Sequence, residues 1–344
     1  MSAKPTDLGT TARALVTAGK GLLAADESTP TIEKRFAAVG IPCDEESRRA
    51  YRDLLFTTAG MNEAISGTIL FDETIRQETG SSTPMAEWLA SVGIIPGIKV
   101  DRGTVELPRF PGEKFTEGLD GLRARLQEYR GFGARFTKWR CVFSVGKDTP
   151  TGPCMETNAG GLALFAALSQ EAELVPIVEP EVLMDGDHSL ARAEAVAMSV
   201  LHEVFAALAR HRINLEGMLL KTAMVTPGAR SPEKAGIEEI AAVTVRCLRR
   251  SVPAAVPGVV FLSGGQGDVE ATERLNAICR VGPTPWRMTF SFGRALQNDA
   301  LKTWKGSAAH RAAAQAALAH RARCNGQATL GRYTEAMDRK ETAA

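Results

Sequence analysis

Eight short apolar runs, each followed by a stretch with helical spacing, most tightly limit what this chain can fold into. The runs read as strands are Gly21–Ala25, Ala64–Phe71, Gly97–Val100, Arg135–Val145, Leu174–Val178, Gly217–Leu220, Gly258–Leu262 and Arg287–Ser291. Between and after them lie amphipathic stretches at Glu45–Ala59, Gly118–Tyr129, Asn158–Ala172, Ser189–Arg212, Pro232–Arg250, Val269–Cys279 and Ala295–Trp304. Strand then helix, repeated in this way, predicts parallel pairing and closure as a (β/α)8 TIM barrel. An open doubly wound sheet is the alternative, ranked lower because no strand runs into a GxGxxG turn.

No linker rich in Pro, Gly or Ser divides the chain, so residues 1–344 are expected to form one domain. Residues 1–20 form an N-terminal segment, the alanine-rich Ser307–Arg323 reads as an extra helix, and residues 326–344 are expected to be a loose tail. Ser231-Pro232-Glu233-Lys234 predicts a helix start, with Ser231 as N-cap.

Composition removes several functional classes. Lys plus Arg number 41 against 40 Asp plus Glu, a net charge of +1, so general attraction to nucleic acid or an anionic membrane is not expected. No apolar stretch approaches the length of a membrane span. The start carries no long apolar segment, so no signal peptide is expected and the cytoplasm is the expected compartment. The six cysteines are scattered without a CxxC pair, which fits reduced core thiols. The five histidines form no HxH or HExxH pattern, so no metal or other cofactor is expected.

In barrel enzymes the chemistry sits at the C-terminal ends of the strands. Here Asp26, Lys99, Lys138, Glu179, Lys221, Ser263 and Arg294 stand at seven of the eight predicted ends. Any one of them would be an ordinary polar strand end; their recurrence points to a site. Lys221 closes the apolar run Gly217-Met218-Leu219-Leu220. Burial there would favour the neutral amine, which can attack a carbonyl and form a Schiff base. Lys138 and Arg140 are two residues apart, as are Glu179 and Glu181, so each pair shares one face of its strand. A structural ion-pair layer is the alternative, but buried pairs add little stability over apolar packing. Ser263-Gly264-Gly265-Gln266-Gly267 is a glycine-rich turn, and Gly293-Arg294 follows the last strand. Both suit an anion, and barrels often bind phosphate after strands seven and eight.

The motifs Leu23-Ala24-Ala25-Asp26-Glu27-Ser28, Gly97-Ile98-Lys99-Val100-Asp101, Lys138-Trp139-Arg140-Cys141-Val142 and Pro176-Ile177-Val178-Glu179-Pro180-Glu181 come in this order. Leu219-Leu220-Lys221, Phe261-Leu262-Ser263-Gly264-Gly265-Gln266 and Ser291-Phe292-Gly293-Arg294-Ala295-Leu296 follow. Together they resemble the class I (Schiff-base) fructose-bisphosphate aldolases from about Gly21 to Trp304.

The resemblance implies reversible cleavage of fructose 1,6-bisphosphate to dihydroxyacetone phosphate and glyceraldehyde 3-phosphate. It implies Lys221 as the imine lysine and Glu179 as the group that moves protons. It gives Asp26 the hydroxyl of the cleaved bond, sets Lys138 between the carboxylates as a charge that depresses the amine pKa, and has Glu181 position the lysines. Ser263, Gly264, Gly293 and Arg294 match the phosphate site of the dihydroxyacetone half; Ser28, Lys99 and Arg140, with Lys34 and Arg35 close by, match the far phosphate site. A homo-oligomer, tetrameric in many members, is the implied assembly. Preference for another ketose phosphate, or a non-catalytic scaffold role, are the alternatives.

Four departures stand out: Thr222-Ala223 after the lysine where Pro-Asn is common, Pro30 where glycine is frequent, Phe292 where tyrosine is frequent, and no terminal tyrosine. Slow enamine protonation, or a different donor, is therefore expected, and trimming the last ten residues should leave cleavage nearly unchanged.

Overall fold

A computed structural model describes residues 7–338. Eight parallel strands close a barrel: β1 (Gly21–Ala24), β2 (Ile65–Leu70), β3 (Ile95–Lys99), β4 (Phe136–Phe143), β5 (Val175–Val182), β6 (Leu219–Thr222), β7 (Gly258–Phe261) and β8 (Arg287–Phe292). Each strand pairs with its neighbours in chain order, and β1 meets β8 through Leu22 opposite Ser291 to complete the ring. The (β/α)8 fold expected from the alternation is the fold observed.

The strands are covered on both faces. Every residue of β1, β2, β6 and β7 is buried, as a barrel strand between a packed interior and a helical shell requires. Polar side chains cap several of the helices where the chain turns back. Asp44 accepts from the Ser47 amide to begin Glu45–Phe56. Thr151 accepts from the Cys154 amide ahead of Gly152–Glu171, and Ser189 accepts from Arg192 ahead of Leu190–Arg210. Tyr51, Phe165, Trp139 and Phe261 are among the large side chains that fill the layer between strands and helices.

Inside the barrel a second apolar cluster fills the N-terminal end. Leu22, Ile69, Phe136, Val175, Ile177, Leu219 and Val260 converge there, and Ala12, Leu15 and Val16 of the first helix region (Leu8–Leu15 and its cap) plug it from below. Room for the Phe136 ring comes from Gly97, where a Cβ would lie 2.3 Å from the ring carbons.

Several boundaries differ from the sequence reading. Leu215–Gly217 forms a 3-10 turn, so β6 starts later and Lys221 lies within the strand. Strand β5 runs to Val182, which carries Glu179 and Glu181 inside it. Ser231 does not cap a helix. Its hydroxyl accepts from the Glu233 amide in a loop, and the helix begins at Ile237 behind Gly236. The C-terminal helix extends from Arg311 through Thr329, past the point where a loose tail was expected. Beyond it Tyr333 is buried, and Arg321 holds Asp338. Residues 339–344, the rest of that tail, lie outside the described residues. Among those described, no helix is long and apolar enough to cross a membrane.

Candidate active site

The C-terminal end of the barrel opens into a cavity of about 1100 Å³. Every residue assigned to the site from sequence lines it: Asp26, Ser28, Lys34, Arg35, Lys99, Lys138, Arg140, Glu179, Glu181, Lys221, Ser263, Gly264, Gly293 and Arg294.

At its floor four buried charges alternate in sign. Lys221 Nζ lies 3.1 Å from Glu179 Oε1, and Glu179 Oε2 lies 3.1 Å from Lys138 Nζ. Lys138 Nζ in turn donates to Asp26 Oδ2 at 2.8 Å. Neighbouring strands make this possible: Lys138 comes from β4, Glu179 from β5, Lys221 from β6, and Asp26 from just beyond β1. All four are less than a tenth exposed, so their charges act with little screening by water. Burial works against the Asp26 carboxylate, but Lys138 and Lys221 outweigh it and lower its pKa to about 2. Burial likewise opposes the Lys138 ammonium. Asp26, Glu179 and Asp101 overcome that penalty and hold its pKa above the ordinary lysine value. Lys138 is therefore a fixed cation, and Glu179 is a carboxylate shared between two amines.

One wall carries paired cations. Lys99 Nζ lies 2.6 Å from Asp101 Oδ1 and also donates to the Asp101 carbonyl at 2.9 Å. The other carboxylate oxygen of Asp101 accepts from the Arg140 backbone amide at 3.2 Å. The Arg140 guanidinium bonds Glu181, so Glu181 engages that arginine rather than the lysines it was expected to position. Burial acts to lower the Arg140 pKa, but Glu181, Glu179 and Asp101 more than compensate and raise it. Arg35 is occupied too: it bonds Glu27 and donates to Gln297 at 3.1 Å, while Lys34 is exposed at the cavity edge.

The opposite wall is less committed. Gly264 and Gly265 have φ of +55° and +99°, a left-handed pair that turns the chain out of β7 toward the helix Asp268–Arg280. Gly265 lies beside Arg294, whose Nη2 would be in ordinary contact, at 3.5 Å, with a Cβ placed there; it is the positive φ that favours glycine. Arg294 begins the helix Arg294–Trp304, and among the described residues no carboxylate lies within ion-pair distance of it. A phosphate entering here meets an uncompensated guanidinium and the start of a helix.

Sequence reasoning assigns no role to several residues of this cavity, Asp101 and Ser291 among them. Asp101 has no role in the sequence reading, although it anchors both Lys99 and the Arg140 backbone. Its spacing two residues after Lys99 was the available signal. Ser291 lines the cavity with a buried hydroxyl that has no hydrogen-bond partner among the described residues. Its neighbour Phe292, one of the departures noted above, has its ring fully buried in the outer core, 5.4 Å from Phe290, and does not line the cavity. Pro30 lies in the first turn of the helix Thr29–Ala37 at the cavity edge. Each carboxylate named here is matched by a lysine or arginine: Asp26 and Glu179 by Lys138, Asp101 by Lys99, and Glu181 by Arg140.

Comparison with known proteins agrees with this chemistry. The family model for glycolytic fructose-bisphosphate aldolase class-I matches residues 7–344. A probable fructose-bisphosphate aldolase class 1 of Xanthomonas campestris is 53% identical over 327 residues, covering 95% of this chain and 98% of that protein. The cytosolic fructose-bisphosphate aldolase 5 of Arabidopsis thaliana is 52% identical over 325 residues, covering 94% and 90% of the two chains. A solved structure of the Plasmodium falciparum aldolase, in complex with TRAP and a small molecule inhibitor, superposes with a TM-score of 0.94. It is 50% identical, and the match covers 95% of each chain. With a whole-chain family match and relatives above half identical, the chain belongs to the class I fructose-bisphosphate aldolases.

Proposed function

We propose that Lys221 is the imine-forming residue in the cleavage of fructose 1,6-bisphosphate that defines this family. The observation that carries the assignment is Glu179 bridging two lysines at 3.1 Å each. A proton leaving Lys221 has an acceptor within hydrogen-bond reach, and Lys138 keeps positive charge beside that acceptor throughout.

In the forward direction the Lys221 amine adds to the ketone carbon and water leaves, with Glu179 returning the proton that dehydration needs. The resulting iminium withdraws electrons from the adjacent carbon–carbon bond. Asp26, held ionised by Lys138, orients the hydroxyl on the far side of that bond, and a carboxylate takes its proton as the bond breaks. Glyceraldehyde 3-phosphate departs, and the electron pair stays on the dihydroxyacetone half as an enamine. Protonation of the enamine carbon, then hydrolysis of the iminium, returns the free amine.

Substrate orientation follows from the two walls. The uncompensated Arg294 with Ser263, Gly264 and Gly293 takes the phosphate of the dihydroxyacetone half. Lys99, Arg140 and Ser28 take the far phosphate, with Lys34 and Arg35 at the rim. Asp101 and Glu181 hold these cations in place for that phosphate. A cytoplasmic homo-oligomer, tetrameric as in many relatives, completes the reading.

Borohydride reduction with dihydroxyacetone phosphate tests it. The expected result is a covalent adduct on the peptide carrying Lys221, unaffected by chelator. Lys221→Ala should lose both adduct and turnover; an adduct that persists in this variant refutes the assignment.

A further inference from the structure

Away from the catalytic cavity, the C-terminal helix Arg311–Thr329 presents His320 and Cys324 one turn apart on a common face, and Asp338 folds back against both. Cys324 Sγ lies 3.7 Å from His320 Nε2 and 3.7 Å from Asp338 Oδ1, and His320 Nε2 lies 3.5 Å from the same oxygen. We propose that these three side chains form a binding site for a zinc-type divalent cation, with solvent as the fourth ligand.

The triangle carries the argument. A direct hydrogen bond between the imidazole and the carboxylate would bring them to about 2.7–3.2 Å; these atoms stand apart instead. Zinc bonds of about 2.3 Å to sulfur and 2.0–2.2 Å to nitrogen and oxygen, at tetrahedral angles, give ligand–ligand edges of about 3.4–3.6 Å. The observed edges exceed those by a tenth or two of an ångström, so a cation would seat with a small inward movement of each group.

The ligand chemistry selects the cation. One thiolate, one imidazole and one carboxylate favour a borderline-soft ion over magnesium or calcium, which prefer oxygen. Binding converts the Cys324 thiol to a metal-bound thiolate and releases one proton to water. Asp338 is already oriented from outside the triangle: Tyr333 Oη bonds its other oxygen, and Arg321 holds both oxygens. Such outer contacts steady a ligating carboxylate, and the Arg321 charge offsets one of the two anionic ligands. His320 and Asp338 are partly exposed, which leaves a path for the ion and for a water in the open position. Occupancy would clip the last described turn of the chain to the helix.

Cobalt(II) titration of the metal-free, full-length protein reads this directly. One equivalent should produce the intense visible bands of tetrahedral cobalt and a thiolate charge-transfer band in the near ultraviolet, both abolished by stoichiometric zinc. Cys324→Ser should remove the charge-transfer band. His320→Ala, a change at a partly exposed position that spares the fold, should weaken zinc binding at least about tenfold. A pale octahedral spectrum, or a charge-transfer band that survives in Cys324→Ser, overturns the proposal. So does unchanged affinity in His320→Ala.

Discussion

The two ends of the barrel interior are built on the same strands and from the same inward-facing positions, yet they share almost no chemistry. Along β4 the inward residues read Phe136, Lys138, Arg140; along β5, Val175, Ile177, Glu179, Glu181; along β6, Leu219, Lys221. Apolar side chains fill the lower layers and are sealed by Leu15 and Val16. Charged side chains occupy the upper layers and pair with one another around open space. The lower end gains its stability from burial of hydrocarbon. The upper end spends part of that stability holding charges out of water, where they can act on substrate. The same two-residue period that stacks Phe136 under Lys138 makes the switch abrupt.

The comparison predicts that the two ends fail differently. At the upper end Glu179→Gln should lower kcat by about 10²–10⁴-fold, the range of a positioned acid–base group. Steady-state turnover checks it, with thermal unfolding alongside; a loss below tenfold would assign the proton transfers elsewhere. At the lower end Phe136→Ala should cost about 3–5 kcal/mol of stability. Its kcat per folded molecule should stay within a few-fold, as measured by denaturant melts and by active-site titration. Loss of activity without loss of stability would show that the plug and the site are not separable.

Acidification should also discriminate between the ends. Because the Asp26 pKa is lowered in the folded protein, its ion pairs contribute fully above the unfolded value near 4 and are lost as pH falls toward about 2. The contribution is of order 2 kcal/mol. Asp26→Asn should therefore be less stable than wild type at neutral pH, with the gap closing between pH 4 and 2; a gap independent of pH would contradict the assignment. The smallest effect is expected from Asp101→Asn, which loosens the anchor of Lys99 and of the Arg140 backbone. The ratio of kcat/KM for fructose 1,6-bisphosphate to that for fructose 1-phosphate should drop about tenfold, near 1.4 kcal/mol. Equal losses on both substrates would make Asp101 a general structural residue.

Much of this organisation was legible in the residues. The strands could be read because a barrel strand is a short apolar run covered on both faces, and every cavity residue assigned from sequence lies in one place. What sequence hid was contact. Nothing in the spacing of Glu181 says that it bonds Arg140 across the β4–β5 ladder, since period-two alternation gives a face and not a partner. Asp101 bonds the Lys99 ammonium and the Arg140 backbone amide through a turn at Gly103, whose amide also bonds it. Ser231-Pro232 carries the composition of a helix start, but the Glu233 carboxylate is drawn to the Leu190 amide, and the helix waits until Ile237. The hairpin Thr104–Glu106 with Lys114–Thr116 escaped notice because three-residue strands leave no periodic trace. The C-terminal helix outran its expected end because Asn325 and Gly326, poor helix formers, are buried against neighbouring elements.

The seam between Leu22 and Ser291 has a consequence for how the molecule is made. The first strand of the ring must wait for one almost 270 residues later in the chain before its second edge is covered. The nascent chain thus leaves the ribosome with an open ladder and an unsealed interior, so ring closure is a late, high-contact-order event. Until then the Leu15 plug has only part of its socket, and chaperones have a window in which to act.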